Sequence, residues 1–286
     1  MDKRIPESEL ILTPEGRVYH LNLLPEMVAD TVIVVGDPDR VPKVSCYFDK
    51  IEIQVSSREL VTHTGTFGGK RVSVISSGMG TDNVELLITE LDALVNVDFK
   101  TRLVKSNLKK LRIFRIGTSG CLRPDIPLDA HLVSQGGLGL DTLMSFYQWK
   151  QDDESDQLTS AVKSTLGLSF SPYFAEASTV LFDLFKGELY TGLTITAPGF
   201  YAPQGREVRL KTGIPNMLDK LADIPTDKGR FTNFEMETAG YYAMAKLLGH
   251  EMISLNALIA NRARQEFSSN AEKAVDDLIR LVLQKI

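Results

Sequence analysis

Short β-branched runs alternate with amphipathic stretches along most of this sequence, and this alternation is what most constrains its fold. The runs typical of buried strands lie at 31–36, 71–76, 111–117, 131–134, 193–197 and 251–260. Apolar residues recur at helical spacing in Asn83–Leu94, Met236–Leu248 and Ala271–Ile286. Strands that alternate with helices favour a layered α/β fold. We therefore predict a single α/β domain over residues 1–286, with a central mixed, mostly parallel twisted sheet flanked by helices.

The charge balance narrows the classes of partner. Hydrophobic residues make up 43% and charged residues 24% of the chain, which is ordinary for a globular protein. A formal net charge of −5 argues against a nucleic-acid scaffold, because such proteins usually carry a basic surplus. No run of about 18 apolar residues is present to cross a bilayer, and the first residues lack the apolar segment of a secretory signal. We expect a cytoplasmic protein with no nucleic-acid and no membrane partner.

The cysteines and histidines predict no metal site. Cys46 and Cys121 leave room for one disulfide, but their spacing indicates neither a disulfide framework nor a zinc site. The 4 histidines are scattered, and none forms a His-x-x-x-His pair. We therefore expect no bound metal.

A glycine-containing loop after the first predicted strand is a candidate phosphate site. Residues 35–40 (VGDPDR) place Gly36 at the strand end and Arg40 near the start of a helix. Such a junction offers free N–H groups to an anion, and an arginine adds charge and a planar fork suited to phosphate. Taken alone, the segment is more typical of a capped turn with a surface arginine.

Arg115 is more informative, because it lies inside a predicted strand, where an unpaired charge is costly. The loop that follows supplies Thr118 and Gly120, and the loop at 76–80 (SSGMG) ends another strand. Since α/β folds bind ligands at the carboxyl ends of strands, these loops predict one common site. None matches the P-loop or the dinucleotide fingerprint, so ATP and NAD are poor candidates.

A pair of carboxylates two positions apart is a candidate sugar site. Glu235 and Glu237 flank Met236 in the segment NFEMETAG. In an extended approach to a helix, residues i and i+2 point the same way, so both carboxylates would face one pocket. A carboxylate accepts two hydrogen bonds at once, which suits the 2′ and 3′ hydroxyls of a ribose. The alternative is a helix N-terminus enriched in acids by the macrodipole.

The loop at 200–206 (FYAPQGR) is a candidate base site, with Phe200, Gln204 and Arg206. An amide reads both a donor and an acceptor on a pyrimidine edge, and an arginine binds a carbonyl oxygen that gains charge. The alternative is an exposed loop with no ligand.

Taken in order, these segments resemble the nucleoside phosphorylase family, and most closely its members that act on uridine. The matching segments are YHLNL, VVGDPDRV, SSRE, SSGMG, FRIGTSG, FYAPQGR, NFEMET and ANR. Each is weak alone, but the ordered set covers nearly the whole chain. The resemblance implies that family's fold and a reversible phosphorolysis of uridine to uracil and ribose 1-phosphate, by direct attack of phosphate at C1′.

The resemblance also implies roles at the phosphate. Gly36, Arg40 and Arg115 would bind phosphate, and Thr118 would lie between phosphate and sugar. Arg58, in the SSRE segment, would reach across a dimer contact and serve the partner's site.

For the sugar and the base, the resemblance assigns residues from both subunits. His20 would cross the dimer contact to bind the ribose 5′-hydroxyl, and Met236 and Glu237 would hold the ribose. The residues expected around the base are Gly120, Phe200, Gln204, Arg206, Glu235 and Arg262. The residues expected to act in catalysis are Arg115, Gln204 and Arg206.

The implied reaction requires no cofactor, and inorganic phosphate is its co-substrate. Some relatives hold a monovalent cation at the dimer interface, and the resemblance leaves that ion open here. Without His20 and Arg58 from a neighbour, an isolated subunit would have an incomplete site. The implied assembly is therefore a homo-oligomer with a dimer as the minimal active unit, and relatives are hexamers built from dimers.

Substrate choice depends on the end of the last predicted strand. Purine-specific relatives carry an aspartate there that protonates the purine ring, and Leu258–Ala263 (LIANRA) has no acid. This favours a pyrimidine. The alternatives are a purine nucleoside phosphorylase, a nucleosidase that attacks with water, and a non-catalytic nucleoside-binding protein. The arginines argue against the nucleosidase, because a hydrolase has no use for a phosphate clamp.

Two charged stretches are expected on the surface. Phe99–Lys110 is basic and is inserted before the Arg115 strand relative to compact bacterial members of the family, and Gln148–Gln157 is acidic. Charge runs of this kind are usually solvated faces, so we assign neither a function.

Overall fold

The structure is a computed structural model that describes residues 3–222 and 224–286. Its strands are β1 (Thr31–Val35), β2 (Lys50–Ser57), β3 (Leu60–Phe67), β4 (Lys70–Ser76), β5 (Val97–Asp98), β6 (Leu103–Val104), β7 (Arg112–Cys121), β8 (His131–Gly139), β9 (Tyr173–Glu176), β10 (Tyr190–Thr196), β11 (Phe231–Glu235), β12 (Glu251–Asn261) and β13 (Glu266–Phe267). Its α-helices are α1 (Arg40–Ser45), α2 (Thr81–Asn96), α3 (Asp153–Leu166), α4 (Thr179–Phe182), α5 (Met217–Ala222), α6 (Thr238–Leu248) and α7 (Ala271–Leu283). Short 3-10 turns lie at Pro25–Met27, Leu143–Phe146 and Ala202–Gln204.

Strand β1 is apolar from Val32 to Val35 because both faces of the sheet are covered by helices. Successive residues of a strand point to opposite faces. Val32 and Val34 accordingly share a buried cluster with residues of α2 and α6, whereas Ile33 and Val35 share one with residues of α1 and α7. The predicted α/β arrangement, with helices on both faces of the sheet, is confirmed.

One mixed sheet takes its strands in the order β13-β12-β8-β10-β11-β7-β1-β4-β3-β2, with β9 beside β8. Parallel pairs join β4, β1, β7 and β12, and a second parallel set joins β8, β10 and β11. Antiparallel pairs add the outer strands β2, β3, β9 and β13. The parallel strands therefore form the interior of the sheet and carry the predicted loops.

Part of the sheet closes on itself around β7. This strand pairs in parallel with β12 and in antiparallel with β11, and β12 also pairs with β8. Strands β7, β12, β8, β10 and β11 therefore form a ring. Because Phe234 of β11 pairs antiparallel with Gly120 of β7, the residues after Phe234 run back along β7 towards Arg115. The ring thus brings two distant segments of the chain to the same place.

Each strand and helix predicted from periodicity is confirmed. The periodicity missed the β2–β3 hairpin, because the segment KIEIQVSS alternates exposed with partly buried residues and carries no apolar run. It also missed β9 and did not separate β11 from the helix that follows it.

The acidic stretch Gln148–Gln157 is largely exposed, as predicted, and it also contains the start of a helix. Helix α3 begins at Asp153, and the Asp152 side chain caps it by accepting a hydrogen bond from the Ser155 N–H at 2.7 Å. Acidic side chains stabilise the first turn of a helix through its macrodipole, which explains the charge run.

The basic stretch Phe99–Lys110 is also largely exposed, as predicted, but its Arg102 is buried. The Arg102 guanidinium donates to the carbonyl oxygens of Ile5 at 2.9 Å and Pro6 at 3.1 Å. The insertion therefore anchors the segment that precedes β1.

Cys46 is exposed, Cys121 is buried and both are free, so they do not form the disulfide that the sequence left open. Within the described ranges, no helix is both long and apolar enough to span a bilayer. In the same ranges, no group of three or more His, Cys, Asp and Glu side chains is arranged to hold a metal ion.

Replacing Tyr242 by phenylalanine should destabilise the fold by about 1–3 kcal/mol. The buried Tyr242 hydroxyl donates to the Ser134 carbonyl oxygen at 2.6 Å and accepts from the Ser254 N–H at 2.9 Å, so it ties α6 to β8 and β12. Its loss leaves both backbone groups buried and unpaired. The measurement is the free energy of unfolding in urea at one fixed protein concentration.

Tyr241→Phe is the matched control, because Tyr241 is equally buried and its hydroxyl has no hydrogen-bond partner in the described part of the chain. We expect its free energy of unfolding to change by less than about 1 kcal/mol. Equal losses in the two variants would contradict the account.

Candidate active site

A cavity of about 950 Å³ opens where β1, β7, β11 and β12 end. It is lined by most of the residues that the sequence predicted for the site, from segments far apart in the chain. These residues are Gly36, Arg40, Arg115, Thr118, Gly120, Phe200, Gln204, Arg206, Glu235, Met236, Glu237 and Arg262. The predicted common site therefore exists as one space.

Arg40 and Arg115 both face this cavity. Arg40 is the first residue of α1, and its Nη1 donates to the Ile116 carbonyl oxygen at 3.1 Å. Burial lowers the pKa of Arg40, and the positive charge of Arg115 lowers it further. Two guanidinium groups near enough to repel each other are stabilised by an anion placed between them. This part of the cavity is therefore suited to a phosphate group.

The guanidinium of Arg115 is buried against two carboxylates. Its Nη2 lies 2.6 Å from Glu237 Oε2 and 3.0 Å from Glu235 Oε2. Its Nη1 donates to Ser254 Oγ at 3.2 Å and to Asn256 Oδ1 at 3.0 Å. Burial alone lowers the pKa of Arg115, but the charges of the two glutamates outweigh burial and the pKa is raised. The charge that made Arg115 notable in the sequence is therefore paired, and its orientation is fixed by the protein itself.

A glycine at position 117 leaves the space that the Arg115 guanidinium occupies. A Cβ at Gly117 would lie 2.1 Å from Arg115 Nη1, which no side chain could tolerate without displacing the guanidinium. The glycine of the RIGT segment is thus required by a close approach.

The two glutamates also accept hydrogen bonds from helix N-termini. Glu235 Oε2 accepts from the N–H groups of Glu237 and Thr238, both at 2.9 Å, where α6 begins. Glu237 Oε1 accepts from the Gly80 N–H at 2.8 Å, just before α2. Burial raises the pKa of Glu237, and the charge of Glu235 adds to that rise against the opposing charge of Arg115. The two interpretations of this segment, a pocket and an acidic helix N-terminus, therefore both describe the structure.

Glu235 is more fully engaged by the protein than Glu237. Its Oε1 accepts from Thr196 Oγ1 at 2.6 Å, in addition to the bonds of its Oε2. Its expected contact with the base stays a prediction, and its observed contacts are those of a residue that holds Arg115 and α6 in place.

The loop at 200–206 and Arg262 form another part of the cavity. Arg206 Nη1 donates to Gln204 Oε1 at 2.5 Å, and its Cζ lies 3.8 Å from the centre of the Phe200 ring. Arg262 Nη1 donates to the Gln204 carbonyl oxygen at 3.1 Å. Burial lowers the pKa of Arg206 to about 10, with a further contribution from the charge of Arg262. Gly120 borders the same space, because a Cβ there would lie 3.4 Å from Arg262 Cγ.

His20 and Arg58 do not line this cavity and lie near each other outside it. The Arg58 Cζ is 5.6 Å from the centre of the Tyr19 ring, and that ring meets the His20 ring edge-on at 4.9 Å. Arg58 lies at the tip of the β2–β3 hairpin with a φ of 56°, a left-handed conformation that is uncommon outside glycine. The next residue, Glu59, does line the cavity. His20, Tyr19 and Arg58 therefore form one group beside its rim.

The cavity also contains residues that the sequence did not mark. The turn before β13 and β13 itself contribute Gln265, Glu266 and Phe267. Met79 also lines the cavity, in the SSGMG loop that the sequence did mark. Met79 is 74% exposed and Phe267 is 71% exposed, although both are apolar. No composition or spacing marks Gln265–Phe267, because the contribution of these residues depends on how a short terminal strand folds back over the cavity. Exposed apolar side chains grouped at a rim are typical of a contact surface.

Comparison with known proteins agrees with this geometry. Residues 30–286 match the phosphorylase superfamily, and the chain belongs to that superfamily. It is 30% identical to a uridine phosphorylase of Thermococcus kodakarensis over 96% of this chain and 88% of that protein. It is 26% identical to a DeoD-type purine nucleoside phosphorylase of Chromobacterium violaceum, over 92% of this chain and 98% of that protein.

Among solved structures, the chain is similar to a nucleoside phosphorylase of Trypanosoma brucei that shows uridine phosphorylase activity. The TM-score is 0.88 at 26% identity, with 96% of this chain and 98% of that chain covered. The similarity therefore extends over both whole folds.

Replacing Arg40 by glutamine should weaken the binding of inorganic phosphate by about 10- to 100-fold, because a charge-assisted hydrogen bond contributes about 1.5–3 kcal/mol. Titration calorimetry with phosphate measures this change. Arg280→Gln is the control, since it removes the same charge from an exposed residue of α7 that pairs with Asp276. Equal weakening in both variants would show that net charge, and not the cavity, governs binding.

Proposed function

We propose that this protein is a pentosyltransferase that catalyses the reversible phosphorolysis of uridine to uracil and ribose 1-phosphate. The observation that carries the proposal is a single cavity that contains two neighbouring arginines (Arg40 and Arg115), Glu237 and the Gln-x-Arg loop. These groups match the needs of a phosphate, a ribose and a pyrimidine in turn. The similarity to uridine phosphorylases in sequence and to the Trypanosoma brucei structure supports the same assignment.

The phosphate would lie against Arg40 and Arg115, with the Gly36 backbone and the Thr118 hydroxyl beside it. Within one subunit, the positive charges of these arginines are balanced by the negative charges of Glu235 and Glu237. A phosphate dianion therefore needs a further cation to be stable there. Arg58 of a neighbouring subunit is our candidate for it, because this side chain is held beside the rim of its own cavity.

The ribose would lie against Met236 and Glu237, next to Thr118. Each oxygen of the Glu237 carboxylate has one protein partner, in Gly80 and Arg115. A carboxylate oxygen accepts more than one hydrogen bond, so Glu237 can still accept from the 2′ and 3′ hydroxyls. Its protein partners would hold it in the orientation that those hydroxyls require.

In the reaction, the bond between C1′ and the uracil nitrogen breaks and a bond from a phosphate oxygen to C1′ forms. The sugar passes through an oxocarbenium-like state, which the adjacent phosphate charge favours. Uracil leaves with the bonding electron pair and is protonated on release. Arg206 and Gln204 would stabilise the charge that develops on its ring and oxygens, more in the transition state than in the substrate. Phe200, Gly120 and Arg262 would border the base.

The end of β12 and the residue that follows it support a pyrimidine as the base. Ile259, Ala260, Asn261 and Arg262 line the cavity, and none is an acid. A purine leaving group would benefit from an acid that protonates its ring, whereas a uracil anion is stabilised by the guanidinium and amide groups present. Uridine is therefore the substrate we propose, ahead of inosine.

For the assembly, we propose a homo-oligomer whose minimal active unit is a dimer, with three dimers forming a hexamer in the cytoplasm. The exposed apolar side chains at the cavity rim, Met79 and Phe267, support a neighbour at this position. We also propose that residues 1–286 form one domain, since one sheet takes strands from Thr31 to Phe267. A monovalent cation at the dimer interface stays a prediction.

A panel of uridine, thymidine and inosine, each with and without inorganic phosphate, tests the proposed function. We expect release of uracil from uridine only when phosphate is present, with formation of an equal amount of ribose 1-phosphate, and slower release from inosine. Full-rate uracil release without phosphate would instead identify a nucleosidase, and faster cleavage of inosine a purine enzyme. Binding of uridine with no ribose 1-phosphate formed would identify a non-catalytic binding protein.

Arg206→Ala should lower kcat/KM for uridine by a factor that corresponds to a loss of about 2–4 kcal/mol in transition-state stabilisation. The reason is that the substitution removes a charged hydrogen-bond donor to the leaving group. Steady-state kinetics at saturating phosphate measure the loss. Kinetics close to those of the wild type would reject the role of Arg206.

A mixture of two inactive variants tests whether each active site takes residues from two subunits of a dimer. A neighbour's His20 is expected to serve each site, so a mixed dimer of Arg206→Ala and His20→Ala subunits would have one intact site and one doubly altered site. Random pairing should restore about a quarter of the wild-type activity. A mixture no more active than the average of its two components would show that His20 serves its own subunit.

A further inference from the structure

A buried carboxylate on α2 faces His20 instead of the cavity. Glu90 is only 8% exposed, and its Oε1 lies 2.7 Å from the His20 ring nitrogen Nδ1. The same carboxylate accepts from the backbone N–H of His20 at 3.0 Å and of Leu21 at 2.8 Å. Glu90 therefore binds the side chain of His20 and the backbone on which that side chain is carried.

This contact selects one tautomer of the histidine. An ionised carboxylate only accepts hydrogen bonds, so the proton of a neutral His20 ring lies on Nδ1. Nε2 is then left as an acceptor, and it makes no hydrogen bond with any residue in the described ranges 3–222 and 224–286. A neutral imidazole in this tautomer can accept a hydrogen bond from an alcohol.

Glu90 also gives His20 a rigid support. Leu87, Leu91 and Leu94 on the same helix are fully buried in the core. The His20 side chain is still 30% exposed, so Glu90 binds one edge of the ring while part of the side chain remains accessible. A carboxylate behind an imidazole fixes the orientation of the ring and makes the opposite nitrogen more basic.

We infer that Glu90 is a positioning residue that holds His20 in the Nδ1-protonated tautomer. In this tautomer, His20 Nε2 accepts a hydrogen bond from the 5′-hydroxyl of the nucleoside in the neighbouring subunit's site. This inference rests on the proposed function for the identity of the substrate. Glu90 does not line the cavity and would not contact the substrate. It would affect substrate binding only through His20.

Glu90→Gln tests the inference, with uridine compared with 5′-deoxyuridine. Glutamine has one carbonyl oxygen in place of two carboxylate oxygens, so it cannot accept from the ring and from both N–H groups as the glutamate does. We expect kcat/KM for uridine to fall by about tenfold, a typical loss for a partner of this kind, while that for 5′-deoxyuridine stays unchanged. The preference of the enzyme for the 5′-hydroxyl would thereby be lost.

Two further variants separate positioning from a general structural effect. Glu85→Gln is the matched control, because Glu85 lies on the same helix and accepts from the Tyr147 hydroxyl, and it should retain the wild-type preference. In a His20→Ala background, Glu90→Gln should have no further effect on uridine. Equal losses on both substrates, or a full additional loss in the His20→Ala background, would overturn the inference.

A readout that does not depend on catalysis keeps the inference distinct from the proposed function. Nitrogen-15 NMR of the histidine rings above pH 8 should show His20 protonated on Nδ1 in the wild type and no longer held in that form in Glu90→Gln. A wild-type His20 protonated on Nε2 would overturn the inference even if uridine is cleaved. No uracil release from the wild type would instead reject the proposed function, whatever the tautomer.

Discussion

The pairing of Arg115 with Glu235 and Glu237 is the interaction on which the rest of the site depends. An arginine inside the closed part of the sheet must be neutralised, and the two glutamates do this at 3.0 Å and 2.6 Å. The same carboxylates accept N–H groups at the starts of α6 and α2. One charge cluster therefore connects β7, β11 and two helices, and it fixes the guanidinium and the proposed ribose acceptor with respect to each other.

Closure of the sheet is what makes this pairing geometrically available. Glu235 and Arg115 are 120 positions apart in number, yet the antiparallel contact of Phe234 with Gly120 returns the chain along β7 to the arginine. Together with Arg40, which lines the same cavity, the cluster has two positive and two negative charges within one subunit, and this balance has a functional consequence. Binding a dianion then calls for a cation from outside, and Arg58 beside the rim and His20 on Glu90 are groups that do not line their own cavity.

The sequence predicted strands β1, β4, β7, β8, β10 and β12, helices α2, α6 and α7, and most of the cavity lining, because each depends on local features. Apolar runs such as that of β1 report burial on both faces, and glycines such as Gly117 mark close approaches. The ring of strands was not predictable in this way, since the β7–β11 contact depends on tertiary structure and leaves no periodic signal. Gln265–Phe267 and the bond from His20 to Glu90 were missed for the same reason: neither a hairpin that folds back nor a contact between distant residues has a local pattern.

A crystal structure of the protein grown with inorganic phosphate and uracil tests the central claim most directly. The account predicts a phosphate within about 3 Å of both Arg40 and Arg115 of one subunit and of Arg58 from its neighbour. Uracil should lie on Gln204 and Arg206, with Arg115 still paired with both glutamates. A phosphate bound elsewhere, with Arg40 and Arg115 contacting no common anion, would contradict it.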